Sequence, residues 1–218
     1  MIPHRLPTRI NSFLWRIGRI MTIPYFRLGL RLRISGLEHL PKDGAVLVVS
    51  NHLSFLDPPL IGYAASPRKI YFMAKHVIFR FPPFGWLISR LGAFPVIRER
   101  ADRNAIRYAK GLLDAGECLV MFPEGTRGTA RDGSMLPGLP GAGMLAFEPV
   151  VTVIPAAVWD ARRSFGPVYV RFGPPVYILD LERVPRNRRN QMSIGRMMVA
   201  IEALLDELRH LSPPTPND

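Results

Sequence analysis

Two short stretches gather side chains able to do chemistry at neutral pH: Asn51-His52-Leu53-Ser54-Phe55-Leu56-Asp57, and Phe122-Pro123-Glu124-Gly125-Thr126-Arg127 some seventy residues later. In the first, an imidazole and a carboxylate stand five positions apart. A carboxylate that accepts the Nδ1 proton of His52 fixes the ring tautomer and leaves Nε2 free to take a proton from a hydroxyl. Ser54 and Asp57 also fit a capping box, in which both side chains only satisfy amides at a helix start. Pro58 disfavours helical backbone at Asp57, yet it suits the first position of a helix capped by Asp57. Both readings stay open on these residues alone.

The elements around the two stretches place them. Ala45 to Val49 is a short, β-branched apolar run after Asp43-Gly44, which predicts a buried strand ending just before Asn51. Further strands are expected at Ile70–Met73, Ala93–Arg98, Cys118–Phe122, Val150–Val158 and Val168–Phe172. Helices are expected after Asp57-Pro58-Pro59, from Pro82 through Leu91, from Asp102 to Gly116, and from Ser193 to Leu211. This alternation predicts an α/β fold, a central mostly parallel sheet flanked by helices, whose carboxyl edge is where such folds bind ligands. Lys75, Arg98 and Arg127 then stand at three successive strand ends, with His52 on its own. Four such groups converging on one edge point to an anionic substrate. Arg183 to Arg189 reads as a basic connector, and Gly141-Ala142-Gly143 as a helix start able to offer amides to a phosphate.

A chain of 218 residues with 48% hydrophobic content suits one packed domain and excludes a disordered chain. Its net charge of +12 favours an anionic partner or surface. Nucleic acid is not expected, because the arginines lack interleaved aromatics and no groove-reading motif is present. The single Cys118 excludes a disulfide framework and reads as a packed thiol, and no metal-ligand spacing occurs. There is no signal-peptide pattern and no apolar run long enough to span a bilayer, so the expected location is the cytoplasmic face of a membrane, peripheral or monotopic.

Residues 1–34 form a separate expectation: a basic amphipathic, membrane-associating segment. Residues 1–33 carry seven arginines and no acidic residue. On a helical projection Ile10, Phe13, Leu14, Ile17, Ile20 and Met21 share a face opposite Arg9, Arg16 and Arg19, with Pro24 ending the helix. Such a helix can lie in the headgroup plane of an anionic leaflet or dock on the protein's own core. Residues 35–211 are expected to be the main domain and 212–218 a disordered tail.

Asn-His-x-Ser-x-x-Asp followed by Phe-Pro-Glu-Gly-Thr-Arg resembles the lysophosphatidate acyltransferase family, and Gly92–Arg98 and Val153–Val158 look like its intervening and closing blocks. The resemblance implies acyl transfer from acyl-CoA or acyl carrier protein, as co-substrate rather than cofactor, to the hydroxyl of a lysophospholipid. It implies His52 as general base, Asp57 as its orienting carboxylate, and no protein nucleophile. It also implies an acceptor site lined by Arg98, Glu124, Gly125, Thr126 and Arg127, with Lys75 where relatives often carry a phosphate-binding lysine. Glu124 is expected to position a hydroxyl or the arginine. Two departures bear on the acceptor: Ile97 replaces an acidic residue, and Gly138-Leu139 stands where the family has Phe-Lys. A different lipid or alcohol acceptor, an acyl thioesterase, and a non-enzymatic anionic-lipid-binding module are the competing readings.

Overall fold

The computed structural model describes residues 9–97, 102–128, 134–148, 151–162 and 164–211. Seven strands form one sheet: β1 (Arg33–Ser35), β2 (Val46–Ser50), β3 (Ile70–Lys75), β4 (Ala93–Val96), β5 (Cys118–Met121), β6 (Thr152–Trp159) and β7 (Tyr169–Phe172). Their order is β1-β7-β6-β2-β5-β3-β4. The five from β6 to β4 are mutually parallel, and β7 turns back antiparallel to β6. This is the expected mostly parallel α/β sheet.

β2 is its spine. All five residues are buried, Leu47 and Val49 against one face and Val46 and Val48 against the other. Such two-sided burial is why the strand reads as a continuous apolar run instead of alternating. On the first face pack α4 (Arg103–Asp114), α5 (Gly141–Leu145) and α6 (Arg186–Leu211). On the second lie α2 (Asp57–Ala64) and the chain around Phe26 and Leu30. Asp102 caps α4 by accepting the amides of Asn104 and Ala105, as its position suggests. Cys118 is a packed thiol, its pKa pushed up to about 11 by burial.

The register carries the functional consequence. β2 pairs directly with β5, Val46 with Cys118 through Val49 with Met121. Two motifs remote in sequence therefore leave the sheet side by side. β3 lies on the far side of β5, so Lys75 follows as the next strand end. Arg98 lies outside the described residues, as does the 212–218 tail.

Three expectations change. The first helix, α1 (Ser12–Pro24), does not stop at Pro24 but widens into a π-helical turn over Tyr25–Gly29. Loosened hydrogen bonding past a proline accommodates the amide it cannot supply. α6 begins at Arg186, so most of the basic connector is its first turns. The glycines of α5 do not form a phosphate cradle. A Cβ on Gly143 would meet the Asn190 carbonyl oxygen at 2.6 Å and Ser193 Oγ at 2.8 Å, so this glycine permits α5 to touch α6. Gly143→Ala should therefore destabilise the fold by about 1–3 kcal/mol through overpacking, measured by urea denaturation. An unchanged midpoint would show that α6 is free to retreat.

Candidate active site

His52 lies two residues beyond the end of β2 and is held at four points. Its Nδ1 lies 2.8 Å from Asp57 Oδ2. The carboxylate can only accept, so Nδ1 carries the proton and Nε2 is the basic nitrogen. The backbone amide of His52 donates to Glu124 Oε1 at 2.8 Å, and its carbonyl accepts from the amide of Gly128 at 2.7 Å. The ring stacks on Phe122 with centroids 4.2 Å apart and planes 22° from parallel. One residue back, Asn51 donates from Nδ2 to the Val158 carbonyl and accepts the Val158 amide, each at 2.8 Å. That side chain continues the β2–β6 ladder beyond its last paired residues and anchors the turn before it leaves the sheet.

The two readings of Ser54 and Asp57 prove compatible. Asp57 Oδ2 accepts the Ser54 amide at 2.8 Å, the return half of a capping box, and also the Leu53 amide at 2.6 Å. The same oxygen receives the imidazole N–H. Asp57 is fully buried, and a buried carboxylate needs this many donors to remain charged.

Glu124 follows β5 and is buried as well. Its Oε1 holds the His52 amide and its Oε2 the Leu136 amide at 2.9 Å. Burial raises its pKa, and those two bonds pull the other way. The described contacts thus tie Glu124 to the backbone on both sides of the site. The sequence expectation had it steering a substrate hydroxyl or Arg127. Gly125 takes φ +68, and a Cβ there would meet Leu139 Cδ1 at 2.3 Å, so the left-handed turn and the covering leucine both favour glycine.

A cavity of about 1130 Å³ opens at this edge of the sheet. His52, Lys75, Glu124, Gly125, Thr126 and Arg127 all line it. Its remaining wall is largely apolar and comes from α1, α2, β3 and α3 (Pro82–Arg90), with Trp15, Phe72 and Ile88 among the contributors. Leu139, standing where the family pattern has a lysine, lines the cavity as an apolar residue. Sequence reasoning missed Phe122 and Asn51 as supports, Phe55 beside Arg127, and Arg162, whose Nη2 donates to the Gly128 carbonyl at 2.7 Å. Only Asn51 had a legible signal, its place beside His52 at the end of a buried strand.

A sheet edge that presents a carboxylate-oriented imidazole beside cations is an arrangement suited to acyl transfer, and the comparisons give that class. The acyltransferase family model matches residues 31–159, more than half of the chain, and the protein belongs to that family. It is similar to the 1-acyl-sn-glycerol-3-phosphate acyltransferase of Bacillus subtilis (25% identity, covering 82% of this chain and 88% of that one). It is also similar to the enzyme of the same name from Streptococcus pneumoniae, with 30% identity over 66% of this chain and 54% of that one. Its span is thus about half the length of that second relative. In structure it resembles the 1-acyl-sn-glycerophosphate acyltransferase PlsC of Thermotoga maritima, with TM-score 0.62, 25% identity, and coverage of 89% of this chain and 78% of that chain.

Asp57→Asn should reduce kcat by about 10²-fold or more, because the amide oxygen can keep the three contacts of Oδ2 but brings no negative charge to set against an imidazolium. The check is steady-state turnover on protein whose circular dichroism matches wild type. Glu124→Gln places an N–H against an N–H at one of its two backbone bonds. It should destabilise the fold by about 1–3 kcal/mol and lower kcat while leaving the acceptor KM near wild type. A selective rise in the acceptor KM would instead assign Glu124 to substrate.

Proposed function

We propose that this protein transfers a fatty acyl group from an acyl thioester, on coenzyme A or acyl carrier protein, to the free hydroxyl of lysophosphatidate, giving phosphatidate. The observation that carries the reading is one shared cavity. It holds a tautomer-fixed imidazole, the cationic side chains of Arg19, Lys75 and Arg127, and an extended apolar wall. The imidazole suits a hydroxyl, the cations a phosphate, and the apolar wall an acyl chain. The names of the relatives in two bacteria and the structural neighbour support the same acceptor.

The chemistry follows from the geometry. Nε2 of His52 removes the acceptor hydroxyl proton as that oxygen attacks the thioester carbonyl carbon. Asp57 stabilises the imidazolium that forms. When the tetrahedral adduct collapses, the C–S bond breaks and the imidazolium returns its proton to the departing thiolate. No charge or proton is left on the protein. General-base assistance of this type contributes about 10² to 10⁴-fold. Lys75 and Arg127 hold the acceptor phosphate, Arg127 with the fork that pairs bidentately with phosphate oxygens; Gly125 and Thr126 form the wall between them and the base.

The protein is further proposed to work as a peripheral protein on the anionic cytoplasmic leaflet, residues 1–34 being the associating segment and 35–211 the catalytic domain. Among the described residues, no helix is long and apolar enough to cross a membrane. α1 buries none of its residues: Trp15 and Gly18 face the cavity, while Phe13, Ile17, Ile20 and Met21 are exposed. Beside the cavity α3 is similar, with Phe81 just before it and Phe84 and Trp86 within it exposed. Exposed apolar faces of this extent mark an interaction surface, and the flanking arginines suit anionic headgroups.

Purified protein supplied with acyl-CoA and lysophosphatidate should form phosphatidate, and His52→Ala should abolish that product with the fold intact. Equal release of free fatty acid with and without lysophosphatidate would decide for a thioesterase. In flotation assays the protein should bind vesicles containing phosphatidylglycerol and detach as salt is added. The Phe13→Asp/Trp86→Asp pair should weaken that binding. Equal partitioning onto neutral vesicles would remove the electrostatic part of the proposal.

A further inference from the structure

The phosphate-binding arginine poses a problem of restraint. A long cationic side chain at a cavity rim has many rotamers, and fixing it costs conformational entropy. The usual restraint is a carboxylate partner, but a carboxylate would neutralise the charge that a phosphate needs. Glu124, three residues upstream, is turned to the backbone, each oxygen accepting an amide, and forms no ion pair with Arg127. Arg127 instead lies on the ring of Phe55, with Cζ 3.6 Å from the ring centroid. Among the described residues it makes no hydrogen bond or ion pair.

Phe55 is 69% exposed, so its ring adds little to the core. It sits midway in the turn between β2 and α2, whose backbone is set by the Asp57 bonds to Leu53 and Ser54 and by the Leu56 amide on Ser54 Oγ. The turn that aims the imidazole therefore also mounts the ring. A guanidinium lying face-on to a ring keeps its five N–H bonds in its own plane, pointing outward from the contact. A ring contact of this kind holds the cation without using any of those donors.

We propose that Phe55 is a positioning residue for the acceptor: its ring holds the Arg127 guanidinium, uncancelled in charge, at a fixed orientation to the His52 imidazole, and so sets the selectivity for a phosphate-bearing acceptor. This rests on the acceptor assignment made above. It adds a specific physical requirement, that residue 55 present an aromatic face and not merely an apolar surface.

The test separates the face from the bulk. Phe55→Ala, Phe55→Leu and Phe55→Trp are made in the wild type and again with Arg127→Ala. Each protein is assayed for its lysophosphatidate KM and kcat with acyl-CoA, and for equilibrium binding of lysophosphatidate in neutral-detergent micelles. Phe55→Ala and Phe55→Leu should both raise KM and Kd for lysophosphatidate about three- to tenfold, the range of a partly exposed cation–π contact. Phe55→Trp should restore both values, and in the Phe55 single variants the loss should fall on the lysophosphatidate KM more than on kcat or the donor KM. With Arg127→Ala in place, the substitutions at 55 should have no further effect on lysophosphatidate. Wild-type affinity in Phe55→Leu, or an undiminished loss from Phe55→Ala in the Arg127→Ala protein, would overturn the proposal. If Phe55→Ala does not fold, the Leu and Trp variants carry the comparison. Wild type that binds lysophosphatidate without acylating it would count against the assigned reaction, while the binding series still decides the role of Phe55. Wild type that does not bind lysophosphatidate would overturn the role of Phe55.

Discussion

A single carboxylate oxygen, Asp57 Oδ2, receives the Nδ1 proton of His52 and the amides of Leu53 and Ser54 within 2.6–2.8 Å. In a fully buried position an ionised carboxylate survives only where donors replace the water it has lost. Here the donors are the His52 ring and the turn that carries it. The same interaction therefore satisfies Asp57 Oδ2, folds the turn and selects the imidazole tautomer. No part of that list can be changed alone.

Around this centre the two motifs hold each other. Glu124 from the β5 side grips the His52 amide, the His52 carbonyl grips Gly128, and Phe122 stacks on the ring. In the other direction, the β2 side sends Phe55 out to Arg127. Each motif thus positions the functional group of the other. The reciprocity is possible because β2 and β5 are hydrogen-bonded neighbours, so the exits of the two strands are one interstrand spacing apart.

Much of this was legible from residue types. The strands announce themselves as short apolar runs because both sheet faces are covered, and Asp102 and Pro82 mark helix starts by rules of local chemistry. The pair His52 and Asp57 was visible as spacing. What stayed hidden depends on long-range placement. Nothing in Cys118 to Phe122 says that this strand will lie beside β2 and not at an edge, so the direction of Glu124 toward a backbone amide 72 positions away could not be read. The start of α6 was set too late because arginines at a helix beginning oppose the helix dipole, and the packing further along α6 overrides that local cost. The exposure of Phe84 and Trp86 was missed for the opposite reason: their pattern in α3 is that of an ordinary buried helix, and only the three-dimensional surroundings show that none of the described residues covers them.

The cavity has walls of two kinds. Its chemical wall is built on β2 and β5, the centre of a seven-stranded sheet, where local opening requires breaking ladders on both sides. Its apolar wall comes in part from α1, which buries none of its residues, and from α3, which buries only Gly85. Segments so lightly packed open at small free-energy cost while the sheet stays closed. Substitutions in α1 and α3 can therefore reshape what the enclosure admits without disturbing the geometry of proton transfer. In a lineage of such proteins, substrate range and catalytic competence are then free to drift on separate schedules.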